Sequence, residues 1–152
     1  MRWRNRIRSH RASVIAALLL FAGCATTPLP PAEIGADWNV QQGQAVWKRP
    51  GSQGIAGELL VATNRQGDFM VEFAKPPITI VTARRAGECW QVEFPAGQRG
   101  YGGRGAGPAR LMWLHVTKAL AGADGGWHMT TNSNGWRIEN RKGESLEGFL
   151  AP

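Results

Sequence analysis

The chain has 152 residues, with 18 Lys and Arg against 11 Asp and Glu and a formal net charge of +7. The excess sits at one end: Arg2, Arg4, Arg6, Arg8 and Arg11 fall within the first 23 residues, and the remaining 129 carry 13 basic and 11 acidic side chains. That near balance removes the pI of about 10.4 as a sign of nucleic-acid binding, while contact with anionic lipid head groups stays open.

The arginine-rich start leads into an apolar run from Val14 to Phe21, ending in Ala22-Gly23-Cys24. A positive segment, a short apolar core and small residues are the layout of a secretory signal. The run is shorter than the roughly 20 apolar residues a bilayer span requires. An ordinary cleaved signal that leaves Cys24 a plain thiol and an arginine-rich organelle transit peptide share this layout. Leu20-Phe21-Ala22-Gly23-Cys24 resembles the lipobox of bacterial lipoproteins, with Phe21 where that family usually has Leu. The resemblance implies cleavage of a signal over residues 1–23 and covalent acyl chains on Cys24, the only group of cofactor type expected. Two or more such chains give a stable anchor. Ala25 in place of Asp implies sorting to the outer membrane, facing the periplasm. With Cys24 acylated, Cys89 has no partner in the chain, so a disulfide framework is excluded. Cys89 is then expected as a small buried hydrophobe, an intermolecular bridge being the alternative.

Residues 24–37 are rich in Pro and Ala and read as a tether with polyproline character that lifts the domain off the membrane. The globular domain is expected over residues 38–152. Ala45 to Lys48 is a short strand candidate, and Ile55 to Thr63 a longer apolar one. Asn64 to Asp68 turns. Phe69 to Phe73 alternates, placing Phe69, Val71 and Phe73 on one face and Glu72 on the other. Pro76-Pro77 interrupts, Ile78 to Thr82 resumes, and Arg85 to Glu88 turns. Cys89 to Phe94 alternates again, with Trp90, Val92 and Phe94 together. Short strands joined by tight turns predict an antiparallel meander.

Pro95 to Pro108 reads as a long glycine-rich loop. Ala109 to Ala121 is expected as a helix, with Pro108 in its first turn and Gly122 at its end. Its apolar residues cover more than half its circumference, which places it in the interior against one face of the sheet. Trp127 to Thr131, Trp136 to Asn140 and Glu144 to Leu150 follow as strands, the first two joined at Asn134-Gly135, a hairpin signal. Eight strands are expected in all.

Little in the chain points to catalysis. Gly100-Tyr101-Gly102-Gly103-Arg104-Gly105 matches G-x-G-x-x-G, but its neighbours read as antiparallel rather than as a parallel βαβ unit. His115 and His128 stand in no zinc-binding pattern, and no G-x-S-x-G elbow is present. No enzyme, no metal and no nucleic-acid partner are expected. Six tryptophans, Trp38, Trp47, Trp90, Trp113, Trp127 and Trp136, follow the signal. They suit a ring-rich core, or an apolar concavity that accepts acyl chains.

Over residues 43–148 the order Gly67-Asp68-Phe69, then Leu111-Met112-Trp113-Leu114, then Gly135-Trp136-Arg137-Ile138-Glu139 resembles the LolA/LolB-type lipoprotein carriers. The resemblance implies a mainly β (α+β) fold: a curved antiparallel sheet, or half-open β-barrel, covered by one principal helix. It also implies an apolar concavity that binds acyl chains, with a client lipoprotein or a phospholipid as ligand. Phe69, Val71, Phe73, Trp90, Val92 and Phe94 would line the concave face, and Trp113 and Leu120 would close it. Arg99 and Arg104 are the candidates for head-group contact. The same residues also read as a filled core, and the chain then as a structural or assembly lipoprotein that binds another cell-envelope protein.

Overall fold

The computed structural model describes residues 29–30, 33–122, 126–133 and 135–151. Cys24 and the signal lie outside them, as does Asn134 of the expected hairpin turn. The strands are β1 (Asn39–Lys48), β2 (Ile55–Thr63), β3 (Phe69–Lys75), β4 (Ile78–Ala86), β5 (Cys89–Phe94), β6 (Arg99–Arg104), β7 (Trp127–Asn132), β8 (Gly135–Asn140) and β9 (Ser145–Ala151). They form one nine-stranded sheet in the order β6-β5-β4-β3-β2-β1-β9-β8-β7, with every pairing between neighbours antiparallel.

Two of the expectations need correction. The stretch from Pro95 to Pro108 is not one loop: a short 3-10 turn (Pro95–Gly97) leads into β6, the ninth strand. Glycine is depleted in strands because it packs nothing, yet here it makes the strand possible. A Cβ at Gly103 would lie 2.8 Å from Cζ2 of Trp90. Only a bare backbone lets this edge strand pair with β5 while the indole lies across it.

The expected helix over Ala109 to Ala121 is likewise smaller. A 3-10 turn (Met112–Leu114) is followed by a five-residue helix, α1 (Val116–Leu120). Leu111, at φ −90° and ψ 86°, is not helical, and His115, at φ −113° and ψ −6°, separates the two pieces. Met112, Trp113 and Leu114 of the tighter turn are all buried. Burial of those side chains outweighs the longer helix that local propensity favours. Gly122, at φ +77°, ends α1 as its position predicts, its N–H donating to the Ala119 carbonyl at 2.9 Å.

The topology explains why this segment lies where it does. β6 and β7 are opposite edges of the sheet, so the chain between them must traverse it, and its described residues 105–122 make the crossing. They do so over the inner face, where Met112, Trp113, Leu114, Val116 and Ala119 join one apolar cluster with residues of β1 to β5 and β7 to β9.

The sheet is curled around that cluster. The rings of Trp47 on β1 and Phe94 on β5 lie 6.5 Å apart, centroid to centroid. Four strand spacings would separate them by about 19 Å in a flat sheet. The seam between β1 and β9 is drawn in to match. A Cβ on Gly148 would lie 2.2 Å from the Gln44 carbonyl oxygen, and one on Gly43 would lie 1.8 Å from that of Phe149. No other residue type fits either place.

Candidate functional site

Alternation divides each strand between the two faces. On the inner face Phe69, Val71 and Phe73 of β3 face Arg85, Ala83 and Val81 of β4 respectively, and Val92 of β5 faces Ala83 in turn. Val71, Phe73 and Val92 are completely buried, and Phe69, Trp90 and Trp113 nearly so. Phe94 and Leu120 are partly buried against the same cluster. The structure therefore brings all eight expected lining residues together, and it packs them on one another. Trp113 is the centre: its ring stacks on Phe73 at 5.5 Å and meets Trp47 edge-on at 5.2 Å. Trp47, one of the six tryptophans expected in a ring-rich core or concavity but not among the eight lining residues, belongs to the same set.

Side chains of the sheet and of the segment itself hold the crossing chain by its backbone. Arg85 Nη2 donates to the Gly105 carbonyl at 2.7 Å, Trp90 Nε1 to that of Arg104 at 3.4 Å, and Trp127 Nε1 to that of Ala109 at 3.1 Å. His115 Nε2 lies 3.2 Å from the Pro108 carbonyl, which only accepts, so this nitrogen carries the proton. Burial lowers the His115 pKa below its ordinary value; the Pro108 hydrogen bond opposes this, and the charges of Lys118 and Arg85 reinforce it. Three buried donors, Trp113 Nε1, Trp136 Nε1 and Arg85 Nε, have no acceptor among the described residues. An unpaired buried donor costs about 1–3 kcal/mol.

Arg99 and Arg104 are both exposed on β6. They do not act together: Arg99 pairs with Phe94 and so falls on the inner face, whereas Arg104 pairs with Cys89 and falls on the outer one. Five residues apart in a strand always means opposite faces. Cys89 itself is half-buried and free.

The outer face carries two grooves, of about 610 and 460 Å³, which share Gln44, Glu58 and Phe149. None of the eight expected lining residues contributes to either. Phe149 is half exposed there, and Ile78 is 56% exposed beside Pro76 and Pro77 at the tip of the β3–β4 hairpin. Arg137 bridges Glu139 and Glu147 along the rim of the larger groove.

A contact that the sequence reading missed lies on the same face, over β4 and β5. The Leu29 N–H donates to Gln91 Oε1 at 3.0 Å. Arg84 donates from Nη1 to the Pro30 carbonyl at 2.8 Å and from Nη2 to the Leu29 carbonyl at 3.3 Å. The Pro-rich stretch was expected to pack little, and no local pattern marks these partners, which are 54 to 62 residues apart. Among the described residues no cluster of three or more His, Cys, Asp or Glu is placed to hold a metal ion, and no helix is long and apolar enough to cross a membrane.

No protein-family model matches the chain, and no curated protein matches it.

Proposed function

We propose that the protein is an outer-membrane-anchored lipoprotein that receives acyl chains, free or as part of a client lipoprotein, against the concave face of its curled sheet. In this reading residues 111–120 form a plug over that face in the absence of ligand. One observation carries it: the only cover on the described inner face is this short, weakly helical segment, led by an indole whose N–H is buried without an acceptor. An acyl chain has the chemistry to replace the Trp113 ring among Trp47, Phe73 and Phe94, and an ester carbonyl is the acceptor the indole lacks. The exposed apolar tip Pro76-Pro77-Ile78 supports contact with lipid or with a lipidated client.

A second reading, an assembly lipoprotein that docks another envelope protein, draws on the tight Phe73–Trp113 stack and on Phe149 exposed between the outer grooves. Native mass spectrometry of the full protein released from detergent micelles separates the two. Covalent acyl mass on Cys24 tests the anchor. Additional non-covalent masses that extract as lipid, and that weaken in a Phe73→Ala or Trp47→Ala variant, support the carrier reading. A bare acylated mass that stays unchanged on incubation with lipopeptide refutes it and leaves the docking module.

A further inference from the structure

Residues 24–37 have the composition of a free spacer, but the structure does not leave Leu29 and Pro30 free. Three hydrogen bonds fasten Leu29 and Pro30 to Arg84 and Gln91 on the outer face of β4 and β5. The receiving groups are arranged before the strand of chain reaches them. Arg84 Nη2 also donates to Gln91 Oε1 at 3.1 Å, and Gln91 Nε2 donates to Glu93 Oε1 at 2.6 Å, which fixes the amide with its oxygen toward the Leu29 N–H. From this point the chain returns to Asn39 at the start of β1, which lies beyond β3 and β2 in the sheet. Ala62 of β2, which pairs with Val40 and Met70 and so lies on the outer face, is completely buried.

We infer that this clasp is a strap that fixes how the domain sits on the membrane: the outer face of β4 and β5 is held toward the lipid surface, and the concave face and its plug are turned away from it. The inference rests on the reading of Cys24 as the lipid-bearing residue. Its physical content is a change of reach. Leu29 is five positions beyond Cys24, and five steps of chain span at most about 18 Å. Asn39 is fifteen positions beyond Cys24, and without the clasp the domain could stand off by up to about 54 Å. The three hydrogen bonds therefore convert a long tether into a short one and choose the face that it presents. A concavity opening away from the bilayer is accessible to a ligand arriving through the aqueous compartment.

The test uses the full, acylated protein in vesicles of phosphatidylethanolamine and phosphatidylglycerol, beside an Arg84→Ala/Gln91→Ala variant whose near-ultraviolet circular dichroism and melting midpoint match the parent. Cys89, on β5 beside the clasp, takes a donor fluorophore, and a head-group-labelled lipid is the acceptor. Energy transfer is expected to be high for the parent and to fall by about half in the variant as the permitted reach lengthens. Equal transfer in both overturns the inference. Hydrogen exchange at the Leu29 amide separates the clasp from the anchor. Protection in the parent that is lost in the variant supports the clasp, and no protection in the parent overturns it. Protection in a protein that carries no acyl mass and does not float with vesicles overturns the anchor reading, and with it the membrane-facing orientation.

Discussion

The ring of Trp113 stacks on that of Phe73 at 5.5 Å with 27° between their planes. One partner comes from the middle of the sheet and the other from the segment that crosses it, so this pair joins the two layers of the fold. Truncating Trp113 to Ala removes a ring that is 2% exposed, and truncation of such a ring costs about 3–5 kcal/mol. The expected outcome for Trp113→Ala is a large drop in the urea midpoint, together with binding of a dye that reports exposed apolar surface. Trp113→Phe retains most of the packing and discards the unpaired N–H, so it is expected to lose far less. Equal losses in the two variants would show that ring packing is not what holds the segment down.

The β1–β9 seam depends on the absence of two side chains. Gly148→Ala places a methyl group 2.2 Å from a carbonyl oxygen of the neighbouring strand, and rigid backbone cannot yield cheaply. Overpacking of this kind costs about 1–3 kcal/mol or more. Gly100→Ala, on β6 with its nearest neighbours at 3.9 Å, is expected to be close to neutral. Chemical denaturation of the two variants beside the parent checks the contrast, which vanishes if the seam is able to relax.

His115 gives the crossing segment a pH dependence. Its pKa lies below the ordinary value, chiefly because the ring is buried, so the folded protein holds that proton less tightly than the unfolded chain does. The stability contributed by the neutral ring is complete above its ordinary value of about 6.5 and is lost as the pH falls through the lowered one. Protease nicking between residues 105 and 122 is expected to accelerate as the pH drops from 7.5 to 5.5 in the parent, and to change less in His115→Gln. A parallel acceleration in both would assign the effect to another group.

Glu144 works in the opposite sense. It accepts a hydrogen bond from Trp47 Nε1 at 3.1 Å, and the Arg49 guanidinium lies 5.3 Å from the Trp47 ring. Burial raises its pKa, and the Trp47 bond and the Arg49 charge only partly offset that rise. The folded state therefore binds this proton more tightly than the unfolded chain. The resulting stability is full below the ordinary glutamate value of about 4.3 and is lost as the pH rises through the raised one. Glu144→Gln keeps an acceptor for the indole and removes the titration. It is expected to be at least as stable as the parent at pH 7, with a flatter profile across the carboxylate range. Denaturant midpoints at a series of pH values decide this, and superimposable profiles would count against it.

The ion pairs of Arg137 with Glu139 and Glu147 are a useful control, since all three side chains are between 41% and 48% exposed. Exposed pairs are worth at most about 1 kcal/mol. Arg137→Ala is expected to shift the melting midpoint little, and less still at high salt; a large shift would reveal that the rim of the outer groove is structural.

Much of the fold was legible in the order of residues, because strand faces and tight turns are local. The alternation of Phe69, Val71 and Phe73, and of Trp90, Val92 and Phe94, predicts both strands and the side each buries, and all six fall in or against one cluster. The turn at Asn64 to Asp68 forms through the Asn64 carboxamide, whose oxygen accepts the Asp68 N–H at 2.9 Å. Where the reading departs from the structure, a distant partner decided the outcome. β6 pairs as a strand where Trp90 needs bare glycine beside it, and the helix is cut short where Met112, Trp113 and Leu114 are all buried in a 3-10 turn. The clasp of Leu29 and Pro30 on Arg84 and Gln91 is of the same kind. Sequence by itself determined the mainly β class, the strand faces and the ring-rich interior, since each depends on period and composition. The curl of the sheet, the route of the crossing chain and the fastening of the tether were decided only in three dimensions, by which distant surfaces came within contact distance.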